Sequence, residues 1–421
     1  MKIDFSSVAG QAEFVNAVPP APGFEVRTCD PRLAHWLKDY PPPVFSERLY
    51  QSNELMERYS IELAIDLLRR LEVTDQLGEW RSADELCHLL SFQSRFRFAM
   101  GWILERLVET GCIEARTEGE TRSYHLRHQP WQSESERLRA VGLNIDPSNE
   151  ATLRLLDYAV SVYPAVARGE QSGDQNLFGP QGIPLWLNYF SNNNLTYAVN
   201  NWVTAVLAAD RTSTQAGLRI LEIGAGAGSS TEALVRWFDE RALLQRIERY
   251  LVTEPNAFFR RRAQRELAKQ YPDLPLAWDT LDINFSWNSQ GVAPSEFDLI
   301  YAVNVLHISK DLLFSLNQAR SALTNDGWLV IGECLRPYVN QPIYPELMFQ
   351  ILDSFTEVCI DPEIRPNPGF LTADQWRRAF ARAGFEHTEV APDIDVIREI
   401  CPHFFTGAIC GQKTASTNGV D

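Results

Sequence analysis

The sequence LRILEIGAGAG, residues 218–228, is the most informative segment for the fold of this 421-residue chain. It is an apolar run that ends in a glycine-rich turn, and residues 230–238 after it, STEALVRWF, have the composition of a helix. A strand, a glycine-rich turn and a helix in this order are typical of a nucleotide-binding loop, because glycines let the backbone approach a ligand closely. No Gly-Lys-Ser/Thr follows, so the segment is not a phosphate-binding P-loop.

Short apolar segments alternate with helical stretches downstream of this loop. This order predicts an α/β fold with a largely parallel, doubly wound sheet. The last two segments lack a full-length crossover helix, so we expect them to close the sheet as an antiparallel pair. The segments are 249–254 (RYLVTE), 276–283 (LAWDTLDI), 297–307 (FDLIYAVNVLH), 327–333 (GWLVIGE), 387–395 (HTEVAPDID) and 403–413 (HFFTGAICGQK).

Acidic residues at the ends of the predicted strands indicate the ligand. Glu222 precedes the glycines, where a carboxylate would repel a pyrophosphate, so a cationic ligand such as S-adenosylmethionine fits better. Glu254 would then hold the ribose hydroxyls, and Asp282 would reach the adenine amino group beside Ile283. The candidate cofactor-binding residues are Glu222, Gly224, Gly226, Gly228, Glu254, Asp282, Ile283 and Asn304.

Two residues at the ends of the next strands are candidates for the chemistry. His307 ends AVNVLH and Glu333 ends VIGE, and neighbouring parallel strands would bring both to the same edge of the sheet. A neutral imidazole can accept a proton near pH 7, and a carboxylate fixes its tautomer and stabilises the imidazolium. The sequence therefore predicts a His307/Glu333 base dyad; a buried structural histidine is the alternative.

The rest of the chain is predicted to be a leader (1–43), a mainly helical N-terminal lid domain (44–210), the cofactor domain (211–413) and a tail (414–421). Two helices and a hairpin over residues 82–127 predict a winged-helix-like element within the lid domain. DNA binding is the rival interpretation of this element. Residues 81–127 hold seven Arg and seven Asp or Glu, a balance of zero, whereas a DNA-binding surface should be basic.

Composition excludes several classes of protein. The chain has 39 Lys and Arg against 55 Asp and Glu, a net charge of −16, which argues against nucleic-acid partners. No apolar run of about 18 residues predicts a transmembrane helix, and the first residues do not form a secretory signal, so we expect a cytoplasmic protein. The seven cysteines lack CxxC spacing, and no motif predicts a metal site.

Residues 188–202, NYFSNNNLTYAVNNW, are rich in amide and aromatic side chains. They form either helix caps and turns or a lid surface that reaches a polar ligand. Under the second interpretation, the residues that close over the cofactor or orient the substrate are Tyr189, Tyr197, Asn200 and Trp202.

Several motifs in this order resemble the methyltransferases of polyketide biosynthesis, which are embedded in polyketide synthases or act in trans. The resemblance covers roughly residues 45–412 and includes the helix ERYSIELAIDLLRRL at 57–71. The other matching pieces are ARGE, LFGP, YF, LRILEIGAGAG, TEPNAFF, LDI, AVNVLH, VIGECLRP and PGFLTADQWRRAFARAGF.

The resemblance implies a class I methyltransferase fold with a helical lid, S-adenosylmethionine as cofactor and a His307/Glu333 dyad. It also implies that the dyad deprotonates the α-carbon of a β-ketoacyl thioester carried by the acyl carrier protein of a polyketide synthase. Two departures concern ribose binding: Glu254 stands where family members usually have Asp, and its segment is one residue shorter.

Two other functions stay open at this level. The resemblance implies that family members that methylate oxygen use the same dyad, so an O-methyltransferase acting on a hydroxyl of a polyketide or another natural product is the alternative. A non-catalytic module that binds cofactor or carrier is the third possibility. A carrier protein is acidic, so an acidic enzyme would need a local basic patch to dock it. The candidate patches are Arg260, Arg261, Arg262 and Arg265, and Arg377, Arg378 and Arg382.

Overall fold

The structure is a computed structural model that describes residues 23–26, 30–41 and 46–414. Most of the predicted leader and nearly all of the predicted tail lie outside these ranges, as does Cys29.

The N-terminal part of the chain is mainly helical. The long helix over 47–70 begins where the Ser46 hydroxyl accepts a hydrogen bond from the Leu49 backbone N–H, and its apolar face is buried. The helices are α1 (Arg32–Trp36), α2 (Glu47–Arg70), α3 (Ala83–Leu89), α4 (Arg97–Val108), α5 (Ser135–Ile145), α6 (Asn149–Ala167), α7 (Gly173–Leu177), α8 (Gly182–Tyr189) and α9 (Leu195–Thr212).

A small three-stranded sheet accompanies α3 and α4, and its last two strands follow them as a hairpin in the predicted helix, helix, hairpin order. Its strands are β1 (Arg81–Ser82), β2 (Ile113–Glu118) and β3 (Thr121–Leu126), and β3 lies between the other two. Ser82 and Glu85 form a capping box that starts α3. The hairpin turn is shorter than predicted, because the strands continue through most of RTEGETR up to Gly119 and Glu120.

The C-terminal part contains a seven-stranded sheet within the described residues. Its strands are β4 (Leu218–Ile223), β5 (Ile247–Thr253), β6 (Leu276–Asp279), β7 (Phe297–Val303), β8 (Leu323–Cys334), β9 (Glu386–Ala391) and β10 (Thr406–Gln412). The order is β6-β5-β4-β7-β8-β10-β9, with β4 to β8 parallel and β10 antiparallel to both of its neighbours. The predicted α/β class and the antiparallel closure are confirmed.

Helices connect these strands. They are α10 (Ser229–Asp239), α11 (Ala257–Gln270), α12 (Leu312–Ala322), α13 (Glu346–Phe349), α14 (Asp353–Thr356), α15 (Ala373–Arg382) and α16 (Ile394–Arg398). In the described ranges, no helix combines the length and apolarity that crossing a membrane would need.

Two hydrophobic cores form, and they do not follow chain order. The first contains the large sheet together with α9, whose small residues Ala205, Ala208 and Ala209 allow close packing on β8 and β10. The second contains α2, α4 and α6 together with residues 343–355. The packing therefore differs from the predicted boundary at residue 210, because α9 lies on the sheet and a segment of the C-terminal half lies under the N-terminal helices.

Candidate active site

A cavity of about 410 Å³ lies at the carboxyl ends of β4, β5 and β7. This is the edge of an open parallel sheet where ligands bind. Aromatic side chains from the N-terminal part and from the 349–355 segment line the cavity as well. The structure brings eight of the predicted site residues to this cavity: Tyr197, Gly224, Gly226, Glu254, Asp282, Ile283, Asn304 and His307.

The glycine-rich loop forms one wall of the cavity in a conformation that suits glycine. Gly224, Gly226 and Gly228 have φ values of +64°, +54° and +88°. Gly228 is the N-cap of α10, where a Cβ would meet the Cβ of Ala263 at 2.9 Å, so it allows the helix to pack closely. At Gly226 an added Cβ would meet no protein atom within 4 Å, because the position faces open space.

Glu254 is fixed beside this loop. One carboxylate oxygen accepts a hydrogen bond from the backbone N–H of Gly226 at 2.9 Å, and the other accepts from the N–H of Asn256 at 2.7 Å. Burial raises the pKa of the Glu254 carboxyl above its ordinary value, against the lowering effect of these bonds. The geometry leaves an oriented carboxylate at the cavity wall.

Glu222 lies behind the loop and not at the cavity. It is fully buried, and its carboxylate accepts hydrogen bonds from the hydroxyls of Ser230 at 2.5 Å and Tyr250 at 2.6 Å. Burial raises its pKa. We therefore correct the prediction that Glu222 contacts the cofactor directly, because its hydrogen bonds instead join β4, β5 and the start of α10.

Asp282 and Asn304 line the cavity after the ends of β6 and β7. Asp282 follows β6 by three residues, and its carboxylate accepts a hydrogen bond from the Asn284 backbone N–H at 2.9 Å. Asn304 follows β7 with φ +54°, a left-handed conformation, and its N–H donates to the Gly332 carbonyl at 2.7 Å. The side-chain oxygen of Asn304 lies 3.6 Å from the Cys334 thiol, which orients its amide.

The predicted pair of His307 and Glu333 is in direct contact. Imidazole Nδ1 lies 2.7 Å from one carboxylate oxygen, and the His307 backbone N–H donates to the other at 3.2 Å. The contact forms because β7 and β8 are parallel neighbours. A carboxylate at Nδ1 favours the tautomer that carries its proton there, which leaves Nε2 as the basic nitrogen.

Both side chains of this pair are buried. The exposed fraction of His307 is 3%, and Glu333 is fully buried. Three rings surround the imidazole, with centroids 6.1, 5.9 and 4.5 Å away for Phe349, Phe355 and Phe370 respectively. These rings restrict water, so a proton moved at His307 would stay within the site.

Of the four predicted lid residues, Tyr197 reaches the cavity. Tyr189 is buried in an aromatic cluster, Asn200 donates a hydrogen bond to the Tyr197 carbonyl behind the wall, and Trp202 packs on Trp237. Helix geometry explains why Trp202 does not reach the cavity, because five positions along α9 turn its side chain by roughly 140° from that of Tyr197. The predicted ligand contacts of Tyr189, Asn200 and Trp202 are therefore corrected to packing.

Several residues of the wall are absent from the prediction. Phe190 lies within the aromatic stretch 188–202, so the density of aromatic residues is a signal that could have found it. Phe349 and Phe355 come from a segment without periodicity, where no sequence signal points to the cavity. The apolar lining residues that the prediction missed include Phe178, Phe190, Phe259, Phe349, Leu352 and Phe355.

These residues fit S-adenosylmethionine. The open space at Gly226 and the positive φ of the loop form a cradle that side chains would fill. Oriented carboxylates suit hydroxyl and amino groups, and their negative charge suits a sulfonium. Apolar side chains from Leu281 and Ile283 line the same end of the cavity as Asp282 and suit a purine ring.

The comparisons with known proteins agree with this geometry. A family model described as a methyltransferase domain matches residues 221–329, from β4 to β8. Polyketide synthase PksR of Bacillus subtilis is 26% identical over 274 residues, which are 63% of this chain and 10% of that protein. The chain carries a methyltransferase domain. It spans only a small fraction of the length of the curated relatives it matches.

Solved structures share the fold of this methyltransferase. The CurJ carbon methyltransferase has a TM-score of 0.74 at 23% identity, covering 91% of this chain and 97% of that one. The trans-methyltransferase CalH, solved with S-adenosylhomocysteine (SAH), has a TM-score of 0.58 at 19% identity, covering 86% and 91%. The cofactor of the methyltransferase is S-adenosylmethionine, which supplies an electrophilic methyl group when bound.

Gly226→Ala is expected to lower the affinity for S-adenosylmethionine by about tenfold or more, because the methyl group enters the cradle. The free energy of unfolding should fall by only about 1–2 kcal/mol, the cost of a left-handed residue. Calorimetric titration and thermal unfolding measure the two effects. Gly119→Ala is the matched control, since it has φ +61°, open space and a position in the β2–β3 turn. Equal affinity loss in both variants would contradict the cradle.

Proposed function

We propose that this methyltransferase methylates the α-carbon of a β-ketoacyl thioester held on an acyl carrier protein, with His307 as the general base. The observation that carries the proposal is the buried contact between His307 and Glu333 at the cavity, 2.7 Å between Nδ1 and the carboxylate. A base held in this way has its free nitrogen available for a substrate proton.

The residues of the site have separable roles in the proposed reaction. Nε2 of His307 takes the α-proton, which is acidic because it lies between a ketone and a thioester. Glu333 stabilises the resulting imidazolium and keeps the ring oriented. Glu254 and the glycine-rich loop would hold the cofactor, which would supply its methyl group to the enolate carbon and leave as S-adenosylhomocysteine.

The aromatic part of the cavity wall suits an acyl chain. Phe178 and Phe190 from the N-terminal part line the cavity together with Phe349 and Phe355. Such a wall buries apolar carbon atoms and keeps water from the enolate. The relationship to a polyketide synthase and the fold of a carbon methyltransferase support the same choice of substrate.

Of the two basic clusters, the one on α11 is better placed to dock a carrier. The helix begins next to Asn256, which lines the cavity, and Arg261 and Arg262 on it are exposed. In the other cluster, Arg377 is paired with Asp374 and Arg382 with Asp361. The acidic surface of a carrier protein would thus meet the exposed Arg261 and Arg262 near the cavity.

The experiment that tests the proposal combines the protein and its cofactor with a β-ketoacyl thioester, on a carrier protein and on free pantetheine. We expect both thioesters to gain the mass of one methyl group in place of one hydrogen. Turnover should be faster with the carrier-bound thioester, and this advantage should shrink as the salt concentration rises. Cofactor binding without methyl gain on several chain lengths would contradict catalysis and leave a binding module. Methyl gain by hydroxylated compounds alone would identify an O-methyltransferase.

A further inference from the structure

Arg365 is a buried cation directly behind the histidine. It lies in the irregular segment between α14 and α15, with an exposed fraction of 1%. One guanidinium nitrogen donates to the Ser309 carbonyl at 2.6 Å, and the other donates to the carbonyls of His307 at 3.2 Å and Leu306 at 3.4 Å. These bonds hold the turn on which the imidazole is mounted.

The position of Arg365 is itself fixed by the backbone. Its N–H donates to the Asp361 carbonyl at 2.8 Å, and its carbonyl accepts from the Asp361 N–H at 2.9 Å. The Asp361 side chain, in turn, accepts the N–H groups of Glu363 and Ile364. A rigid loop therefore delivers the guanidinium to the turn.

The charge of Arg365 acts on the same site. Burial lowers the pKa of its guanidinium to about 10, and the attraction of Glu333 is the largest effect opposing that shift. The group thus stays protonated near neutral pH. The Cys359 thiol and Asp311 attract the guanidinium less strongly than Glu333 does. The groups around the imidazole itself are Glu333 and phenylalanine rings.

We propose that Arg365 is a positioning residue that holds the 306–309 turn and balances the buried charge of Glu333, so that His307 stays neutral and aimed at the substrate. This inference rests on the proposed role of His307 as the base. A bare carboxylate beside the imidazole would favour its protonated form, which cannot accept a proton. A cation behind the turn opposes that effect without touching the substrate.

The test compares Arg365→Met with Arg365→Lys in the full chain. We expect Arg365→Met to lower kcat by about 10²-fold, with KM and cofactor affinity within about twofold of wild type. The low-pH limb of its kcat profile should move to higher pH by about one unit. Arg365→Lys keeps the charge, so it should keep the wild-type limb and lose less rate.

Arg398→Met is the matched control. Arg398 also donates to two backbone carbonyls, those of Phe404 at 2.8 Å and Leu335 at 2.7 Å, and burial lowers its pKa to about 10 as well. We expect Arg398→Met to lower the free energy of unfolding and to leave the low-pH limb of the kcat profile unchanged. The proposal would be overturned if Arg365→Met folds and either keeps the wild-type low-pH limb of kcat or has a kcat within twofold of wild type. If Arg365→Met does not fold, a displaced low-pH limb in Arg365→Lys would overturn the proposal instead.

A second readout separates this inference from the proposed function. Nitrogen NMR of labelled histidine, assigned with His307→Gln, should show a larger imidazolium fraction at neutral pH in Arg365→Met than in wild type. If the wild-type enzyme transfers no methyl group, the proposed function is refuted. The His307 spectra of wild type and Arg365→Met then still test the role of Arg365. Identical His307 spectra in both proteins would overturn the role of Arg365.

Discussion

Replacing His307 with alanine is expected to abolish turnover, with a fall in kcat of about 10²- to 10⁴-fold, the usual contribution of a general base. Affinity for S-adenosylmethionine should stay near normal, because the loop and Glu254 that form the cradle do not contact the imidazole. Single-turnover kinetics and cofactor titration on the same preparation separate the two quantities.

The alanine variant has a structural cost that needs its own control. It leaves the buried Glu333 carboxylate without the imidazole partner, and such a group destabilises a fold. His307→Gln keeps a donor for the carboxylate and restores most of the volume, but it provides no base. Both variants should be equally inactive, whereas His307→Gln should be the more stable. A near-wild-type rate in either would refute the assignment of the base.

Glu333→Gln is expected to lower kcat by about 10²- to 10⁴-fold as well, since a neutral amide neither stabilises the imidazolium nor enforces the Nδ1-protonated tautomer. The amide has the same shape and can still bond to the ring and to the His307 N–H, so the folded structure should persist. The rate measurement is made with thermal unfolding of the same samples.

Glu62→Gln is the control for losing a buried carboxylate. Glu62 is also fully buried, pairs with Arg58 and accepts from the Trp131 indole, but it lies in the N-terminal core. It should change stability and leave kcat within about threefold of wild type. If Glu333→Gln behaved in the same way, Glu333 would be a structural acid, and the dyad would fail as an account of the catalysis.

Much of the fold follows from local patterns. Apolar strands at regular intervals predict the α/β class, and the parallel order places Glu333 beside His307 although 26 positions separate them. This works because neighbouring parallel strands end at one edge of the sheet, so the identity of the last residue in each strand is informative.

The aromatic wall and the arginine behind the turn do not follow from the sequence. Phe349, Phe355 and Arg365 lie in segments without helical or strand periodicity, and their places depend on how residues 343–370 fold back between the two cores. Tyr197 and Trp202 show that composition alone does not predict which residue of a helix reaches the cavity. They share a helix and a composition-based prediction, but helix rotation separates their faces, and tertiary packing selects which one meets the cavity.

Locating the transferred methyl group tests the proposed carbon methylation most directly. The protein is incubated with a carrier-bound β-ketoacyl thioester and S-adenosylmethionine labelled with carbon-13 in its methyl group, and the product is examined by NMR. We expect a carbon-bound methyl signal coupled to the α-proton, present with wild type and absent with His307→Gln. A signal typical of a methyl group on oxygen, or an equal carbon-bound signal from His307→Gln, would contradict the proposal.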